Sequence, residues 1–380
     1  MKKTKSLSEV SKIIAGQSPK SEYYNSNGDG LPFFQGKADF GKIYPEVRYW
    51  CVKPTKIALK NDILISVRAP VGPTNIAKDK CCIGRGLMAI RANDDVLNYK
   101  FLLYYLRHFE PEWSLIETGS TFKAINKKVL ESIQIPLPLL DEQQKIVEKL
   151  DRAQRLIDID KEMLAKYDQL IQSIFLDMFG DPISNPKNWP IVALGNLLSK
   201  IGSGSTPRGG SKIYQEQGVK LIRSQNVYDW KLILEDVAYI SPEIHSSMTR
   251  SKVQNGDVLL NITGASIGRV CNYKSNEEAN VNQHVCILRP NPKRLISEYL
   301  VGLLSNQNYK KALLSSQSGG TREAYNFAQI KEFSVIYPPI ELQEKFLQAL
   351  ELIAGEKNNL NHSLLMSTYL FNSIMNTSFN

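Results

Sequence analysis

At 380 residues and 42% hydrophobic content, the chain is long enough for two or three globular domains and too apolar to be disordered. Its longest apolar runs, such as Leu137 to Leu140, are too short to cross a bilayer, and no apolar core follows the basic start Met1-Lys2-Lys3-Thr4-Lys5, so a cytoplasmic protein with no membrane partner is expected. Five cysteines without paired zinc spacing argue against a structural metal and fit a reduced compartment, while a net charge of +9 points towards an anionic partner.

Taken in chain order, residues 1–140 form a mixed segment punctuated by Gly, Pro and Asn. It contains a β-type run at Ile63-Leu64-Ile65-Ser66-Val67 and a short helix near Tyr99 to Phe109. This block holds 21 basic against 13 acidic residues. Pro136 and Pro138 then introduce a long helix over 141–178, with Asp141 and Glu142 in its first turn, where the helix dipole favours acid. Residues 179–340 are again mixed, with β-type runs at Val258-Leu259-Leu260-Asn261-Ile262 and Val285-Cys286-Ile287-Leu288 and a helix near Ser297 to Leu304. They hold 18 basic against 12 acidic residues. Pro338 and Pro339 introduce a second long helix over 341–380. Two basic blocks are the electrostatic footprint of phosphate binding, although a solvated basic surface has the same composition.

The order of elements is given twice. Gly16, Ser18 and Pro19 align with Gly204, Thr206 and Pro207. Asn61-Asp62-Ile63-Leu64 aligns with Gly256-Asp257-Val258-Leu259, and Thr118-Gly119-Ser120-Thr121 with Ser318-Gly319-Gly320-Thr321. Asn126, Pro138 and Gln143 align with Asn326, Pro338 and Gln343. Residues 20–60 match 208–255 poorly. Similar frames with dissimilar interiors suggest one fold with two recognition tasks, or loops that diverged after duplication. The long helices also share a heptad: Ile146, Leu150, Ala153, Ile157, Leu164, Tyr167, Ile171, Ile174 and Met178 in one, and Phe346, Leu350, Ile353, Leu360, Leu364, Phe371 and Ile374 in the other. Asp160 and Lys357 are the charged exceptions, each near its helix centre. An antiparallel pair would bring them together as a register device, unless both side chains snorkel to solvent.

In these paired Gly-x-Ser/Thr-Pro loops, Asn/Gly-Asp-Ile/Val-Leu strands, Gly-x-Thr loops and proline-led openings Pro138-Leu139-Leu140-Asp141-Glu142-Gln143 and Pro338-Pro339-Ile340-Glu341-Leu342-Gln343, the chain resembles type I restriction-modification specificity subunits. The junction Met178-Phe179-Gly180-Asp181-Pro182 with Asn188-Trp189-Pro190 adds to the likeness. The resemblance implies two similar α/β target-recognition domains, over 1–140 and 179–340, separated by two long conserved helices that pair as an antiparallel coiled coil with a pseudo-two-fold internal repeat. Each domain would read one half of an asymmetric gapped site in double-stranded DNA. Modification subunits would dock on the frame and carry S-adenosylmethionine, and restriction subunits would supply ATP- and magnesium-dependent cleavage. The chain itself would hold no cofactor and no catalytic site. Each helix, roughly 57 Å long at about 1.5 Å per residue, would set the spacing between half-sites.

No Asp/Asn-Pro-Pro-aromatic methyltransferase loop is present, since Tyr337-Pro338-Pro339-Ile340 fails at both ends. Gly202-Ser203-Gly204-Ser205-Thr206-Pro207 lacks the Gly-Lys-Ser/Thr ending of a phosphate loop. The alternatives are a duplicated DNA-binding regulator acting without modification partners, and a coiled-coil scaffold with no nucleic acid. Candidate DNA contacts are polar residues of the Gly-punctuated loops, where side chains meet base edges or phosphates, or else serve only the surface. In the first domain these are Gln35, Lys37, Arg68, Arg85, Ser120, Thr121 and Lys123. In the second they are Arg208, Arg223, Gln225, Asn226, Arg269, Gln283, His284, Thr321 and Arg322.

Overall fold

A computed structural model describes residues 4–113, 124–207, 209–315 and 324–380. The chain folds as two compact units: Met1–Lys161 with Asn361–Asn380, and Glu162–Leu360. The long helices, Leu140–Phe179 and Ile340–Phe379, each contribute one half to each unit. No described helix is long and apolar enough to cross a membrane.

In the first unit the strands are β1 (Thr4–Ser6), β2 (Ser11–Ala15), β3 (Tyr24–Asn25), β4 (Leu31–Phe34), β5 (Tyr49–Cys51), β6 (Ile57–Ala58), β7 (Ile63–Ser66), β8 (Thr74–Ile76), β9 (Cys81–Ile83), β10 (Leu87–Ala92) and β11 (Gln134–Pro136). An antiparallel sheet has the order β2-β10-β7-β8, and a mixed sheet the order β3-β5-β4-β9-β6, with β4 parallel to β9. Strand alternation decides which core each side chain joins. Ile63, Ile65 and Ile90 pack with the helix Tyr99–His108 and with Val147, Leu150, Met375 and Phe379 of the long helices. Leu64, Leu87 and Ala89 point the other way, onto Phe34, Cys81 and Ile83 of the mixed sheet. With both faces covered, these strands read as unbroken apolar runs.

The second unit repeats this plan with β12 (Ile191–Ala193), β13 (Leu198–Ser203), β14 (Val219–Ile222), β15 (Val227–Tyr228), β16 (Lys231–Leu232), β17 (Ala238–Ile240), β18 (Val258–Asn261), β19 (Val270–Asn272), β20 (Ala279–Val281), β21 (Val285–Pro290) and β22 (Ser334–Ile336). The sheet β13-β21-β18-β19 matches β2-β10-β7-β8, and β14 runs parallel to β20 as β4 does to β9. What varies is the rest of the mixed sheet: β3, β5 and β6 in one unit, β17 in the other.

Buried polar residues recur with the frame. Asp62 takes both Arg91 nitrogens at 2.8 and 2.9 Å and the Leu59 N–H at 2.8 Å. Asp257 takes Arg289 at 2.7 and 2.8 Å and the Gln254 N–H at 2.7 Å. Gln143, fully buried, accepts from the Asn98 N–H and donates to the Val96 and Pro138 carbonyls, each at 2.9 Å. Gln343 accepts from the Ile296 N–H and donates to the Pro338 carbonyl, also at 2.9 Å. The aligned Pro and Gln therefore lock the start of each long helix onto the helix of its own unit. All five cysteines are buried and free. Burial pushes the thiols of Cys81, Cys271 and Cys286 up to about 12, which leaves them inert.

Within each unit the halves of the long helices run antiparallel, as the resemblance implies. In the first, Asp160 meets Ser363, while Val147 and Leu150 share a core with Met375 and Phe379. In the second, Lys357 meets Asp168, and Phe175 and Phe179 pack on Phe346. Asp160 and Lys357, expected to approach each other, fall in different units, and each has a partner within its own. Asp160, 7% exposed, accepts the Ser363 hydroxyl at 2.9 Å. Lys357 reaches out to the exposed Asp168 at 2.5 Å. Ser363, the partner of Asp160, lies six residues beyond Lys357 in the sequence.

Candidate nucleic-acid interface

In the first unit four loops converge at one end of the sheets. The Gly84-Arg85-Gly86 turn between β9 and β10 is the hub. The Gly84 N–H donates to the Phe34 carbonyl at 2.8 Å, which brings in the loop of Gln35. The Val67 N–H donates to the Gly86 carbonyl at 3.0 Å, which brings in Arg68, and the Gln17 N–H donates to the Ile83 carbonyl at 3.0 Å. Ser18 Oγ accepts from the Arg85 N–H at 3.3 Å. Only glycine fits at 16, because a methyl there would lie 2.1 Å from the Gly84 carbonyl oxygen. The Gln35 loop is fixed by Asp39, whose Oδ2 accepts the N–H groups of Gln35 at 2.6 Å and Gly36 at 3.3 Å. Gln35, Lys37, Arg68 and Arg85 are exposed around this hub.

The second unit builds the same cluster around Asn282-Gln283-His284, the turn between β20 and β21. The Asn282 N–H donates to the Ile222 carbonyl, the Ile262 N–H to the His284 carbonyl, and the Gly204 N–H to the Asn282 carbonyl, at 3.0, 3.0 and 3.2 Å. Gly204 is crowded as Gly16 is, since a methyl would lie 1.5 Å from the Val281 carbonyl oxygen. Asn226 replaces Asp39 as the loop clasp, accepting the Arg223 N–H and donating to the Ile233 carbonyl, both at 2.9 Å. A side-chain chain then links three loops. Thr206 Oγ1 donates to Gln283 Oε1, Gln283 Nε2 lies 3.0 Å from His284 Nε2, and His284 Nδ1 lies 2.6 Å from Thr263 Oγ1.

The other candidates divide by where their polar atoms go. Asn226 is 1% exposed and its amide is spent inside the fold. The Arg223 guanidinium turns back to the Asp236 carbonyl at 2.8 Å and lies over the Tyr214 ring. Gln225 is exposed. Arg269 is half-buried, 4.5 Å from the centre of the Tyr228 ring. The neighbouring turn is braced by Asp229, which holds Lys310 Nζ at 2.6 Å and the Val270 N–H at 3.1 Å. Burial pulls the Lys310 ammonium below the ordinary lysine value against the pull of that carboxylate. Ser120, Thr121, Lys123, Arg208, Thr321 and Arg322 lie outside the described residues.

Sequence reasoning placed Ser18 and Thr206 in a repeated motif but not in the site. The signal was there: a hydroxyl before proline in both copies. Asp39, Thr263 and Tyr228 carried no pattern that would single them out.

Comparison with known proteins agrees with the repeat. The family model for the type I restriction modification DNA specificity domain matches twice, over residues 2–167 and 186–365. A candidate type I restriction enzyme specificity subunit, MjaX, of Methanocaldococcus jannaschii is 49% identical over 168 residues, 43% of this chain and 40% of that protein. The match thus spans well under half of that relative. The EcoBI specificity subunit of Escherichia coli is 23% identical over 98% of this chain and 84% of its own length. The crystal structure of a type I S subunit from M. genitalium shares the fold, with a TM-score of 0.54 and 16% identity over 100% of this chain and 96% of that one. The chain belongs to the family of type I restriction modification DNA specificity domains, and it carries that domain twice.

Proposed function

We propose that the chain is the sequence-reading subunit of a type I restriction-modification complex, each unit binding one half of a gapped site in double-stranded DNA. The observation that carries this reading is the loop cluster, built twice with the same backbone bonds from each hub turn to the loops of Gln35 and Arg68 in one unit and of Arg223 and Thr263 in the other, but with different exposed side chains. A conserved frame with exchanged tips suits recognition of two different half-sites. The basic excess of both blocks supports phosphate contact.

The long helices carry the second task, assembly. Leu365, Met366, Tyr369 and Leu370 are 66%, 54%, 72% and 47% exposed on one helix segment, and Leu352 is 75% exposed on another. Such apolar exposure marks a protein-binding face, and we assign it to modification subunits. S-adenosylmethionine, ATP and magnesium belong, in this reading, to modification and restriction subunits rather than to this chain, which acts in the cytoplasm and catalyses nothing alone.

The test is selection from a randomised duplex library by the chain assembled with its modification subunits. A gapped motif should emerge, and affinity should fall steeply with salt. Binding that shows no motif, or no dependence on salt, would overturn the proposal.

A further inference from the structure

The two hub turns are equivalent residue by residue: β9 and β10 flank Arg85 as β20 and β21 flank Gln283. Each tip is braced by the hydroxyl before the repeated proline, Ser18 on the Arg85 N–H and Thr206 on the Gln283 side chain. Among the described residues the Arg85 side chain has no hydrogen-bond or ion-pair partner, and it is exposed.

The bonding around Gln283 is directional. Its Oε1 accepts from Thr206, so its Nε2 must donate to His284 Nε2. That puts the imidazole proton on Nδ1, which donates to Thr263 Oγ1. A primary amide has two acceptor sites and two N–H donors. Thr206 takes one of the first and His284 one of the second. One acceptor and one donor of this exposed side chain remain, and an acceptor with a donor is what N6 and N7 of adenine call for. The guanidinium fork of Arg85 instead presents two donors, the match for O6 and N7 of guanine.

We propose that Arg85 and Gln283 are the paired specificity-determining residues of the two half-sites, reading a guanine and an adenine respectively, and that Thr206 and His284 are positioning residues for Gln283. The proposal rests on the DNA-reading function above and deepens it. Since both tips are exposed, exchanging them leaves the cores untouched.

The test uses the complex of the chain with its modification subunits and a randomised gapped duplex library. Arg85→Gln should convert one guanine of the first half-site to adenine and leave the second half unchanged. Gln283→Arg should do the converse in the second half, each with discrimination on the order of ten- to hundredfold. Thr206→Val should relax that one adenine preference about tenfold, well beyond any fall in affinity for non-specific duplex, and Thr206→Ser should restore it. A purely structural role for Thr206 would instead weaken specific and non-specific binding together, and that result would overturn its positioning role. If the wild-type complex selects a gapped motif that both exchanges leave unaltered, the pairing is wrong while the reading function stands. If the wild type selects no motif, both fall.

Discussion

At the residue scale, the frame depends on buried charge as much as on apolar packing. Asp257 is fully buried and accepts three hydrogen bonds, from both Arg289 nitrogens and from the Gln254 N–H. A carboxylate there is tolerable only because the guanidinium fork matches it. Arg289→Met would leave it uncompensated. The expected cost is about 3 kcal/mol, the low end for a broken buried pair, because Arg289 keeps some solvent contact. Denaturant unfolding of the variant would measure it, and a loss below about 1 kcal/mol would show that water already carries much of the charge. The equivalent Asp62–Arg91 pair makes the same prediction for the first unit.

At the scale of elements, the two polar residues of the helix seam separate by burial. Ser363 is the hydrogen-bond partner of the buried Asp160. Ser363→Ala should therefore cost about 1–3 kcal/mol, the price of an unsatisfied buried acceptor. Lys357 pairs with Asp168, whose side chain is 65% exposed, so Lys357→Met should change stability by at most about 1 kcal/mol. Equal losses in thermal unfolding would contradict this ranking. The seam itself was legible in the heptad, because Leu150, Ala153, Ile157, Phe346, Leu350 and Ile353 are all buried. A second buried stripe, Val147, Phe175, Phe179, Met375 and Phe379, was not. It faces each unit's sheet-bearing core, and a pattern read for one helix partner does not report a second. The repeat exposed the loop frame because glycine and proline are demanded by local geometry. Which polar side chains face outward was illegible, since Asn226 and Gln225 are adjacent in sequence and opposite in burial.

At the scale of the molecule, the second unit is one continuous stretch of chain, Glu162–Leu360, whereas the first is assembled from Met1–Lys161 and Asn361–Asn380. The packing explains why the last turns belong to the first unit. Phe379 packs, tilted or edge-on, against Phe101 and Tyr105, with ring centres 5.1 and 5.7 Å apart, as Phe179 packs on Tyr299 at 4.8 Å. In the second unit Phe179 is joined to β12 by the loop 180–190, tied down by Trp189 Nε1 donating to the Phe179 carbonyl at 2.9 Å. The repeat makes β1 the counterpart of β12, so a copy of that loop should span Phe379 to Thr4 without strain in either end. A circular permutant with this loop joining residue 379 to residue 4, and new termini opened within 180–190, should therefore fold with both units intact. Its first unit becomes the continuous one and its second the divided one. Equal protection of the two units in hydrogen exchange, with selection of the parent's DNA motif, is the expected outcome. A permutant whose first unit exchanges as an unfolded chain would show that the two units, though built on one plan, do not close in the same way.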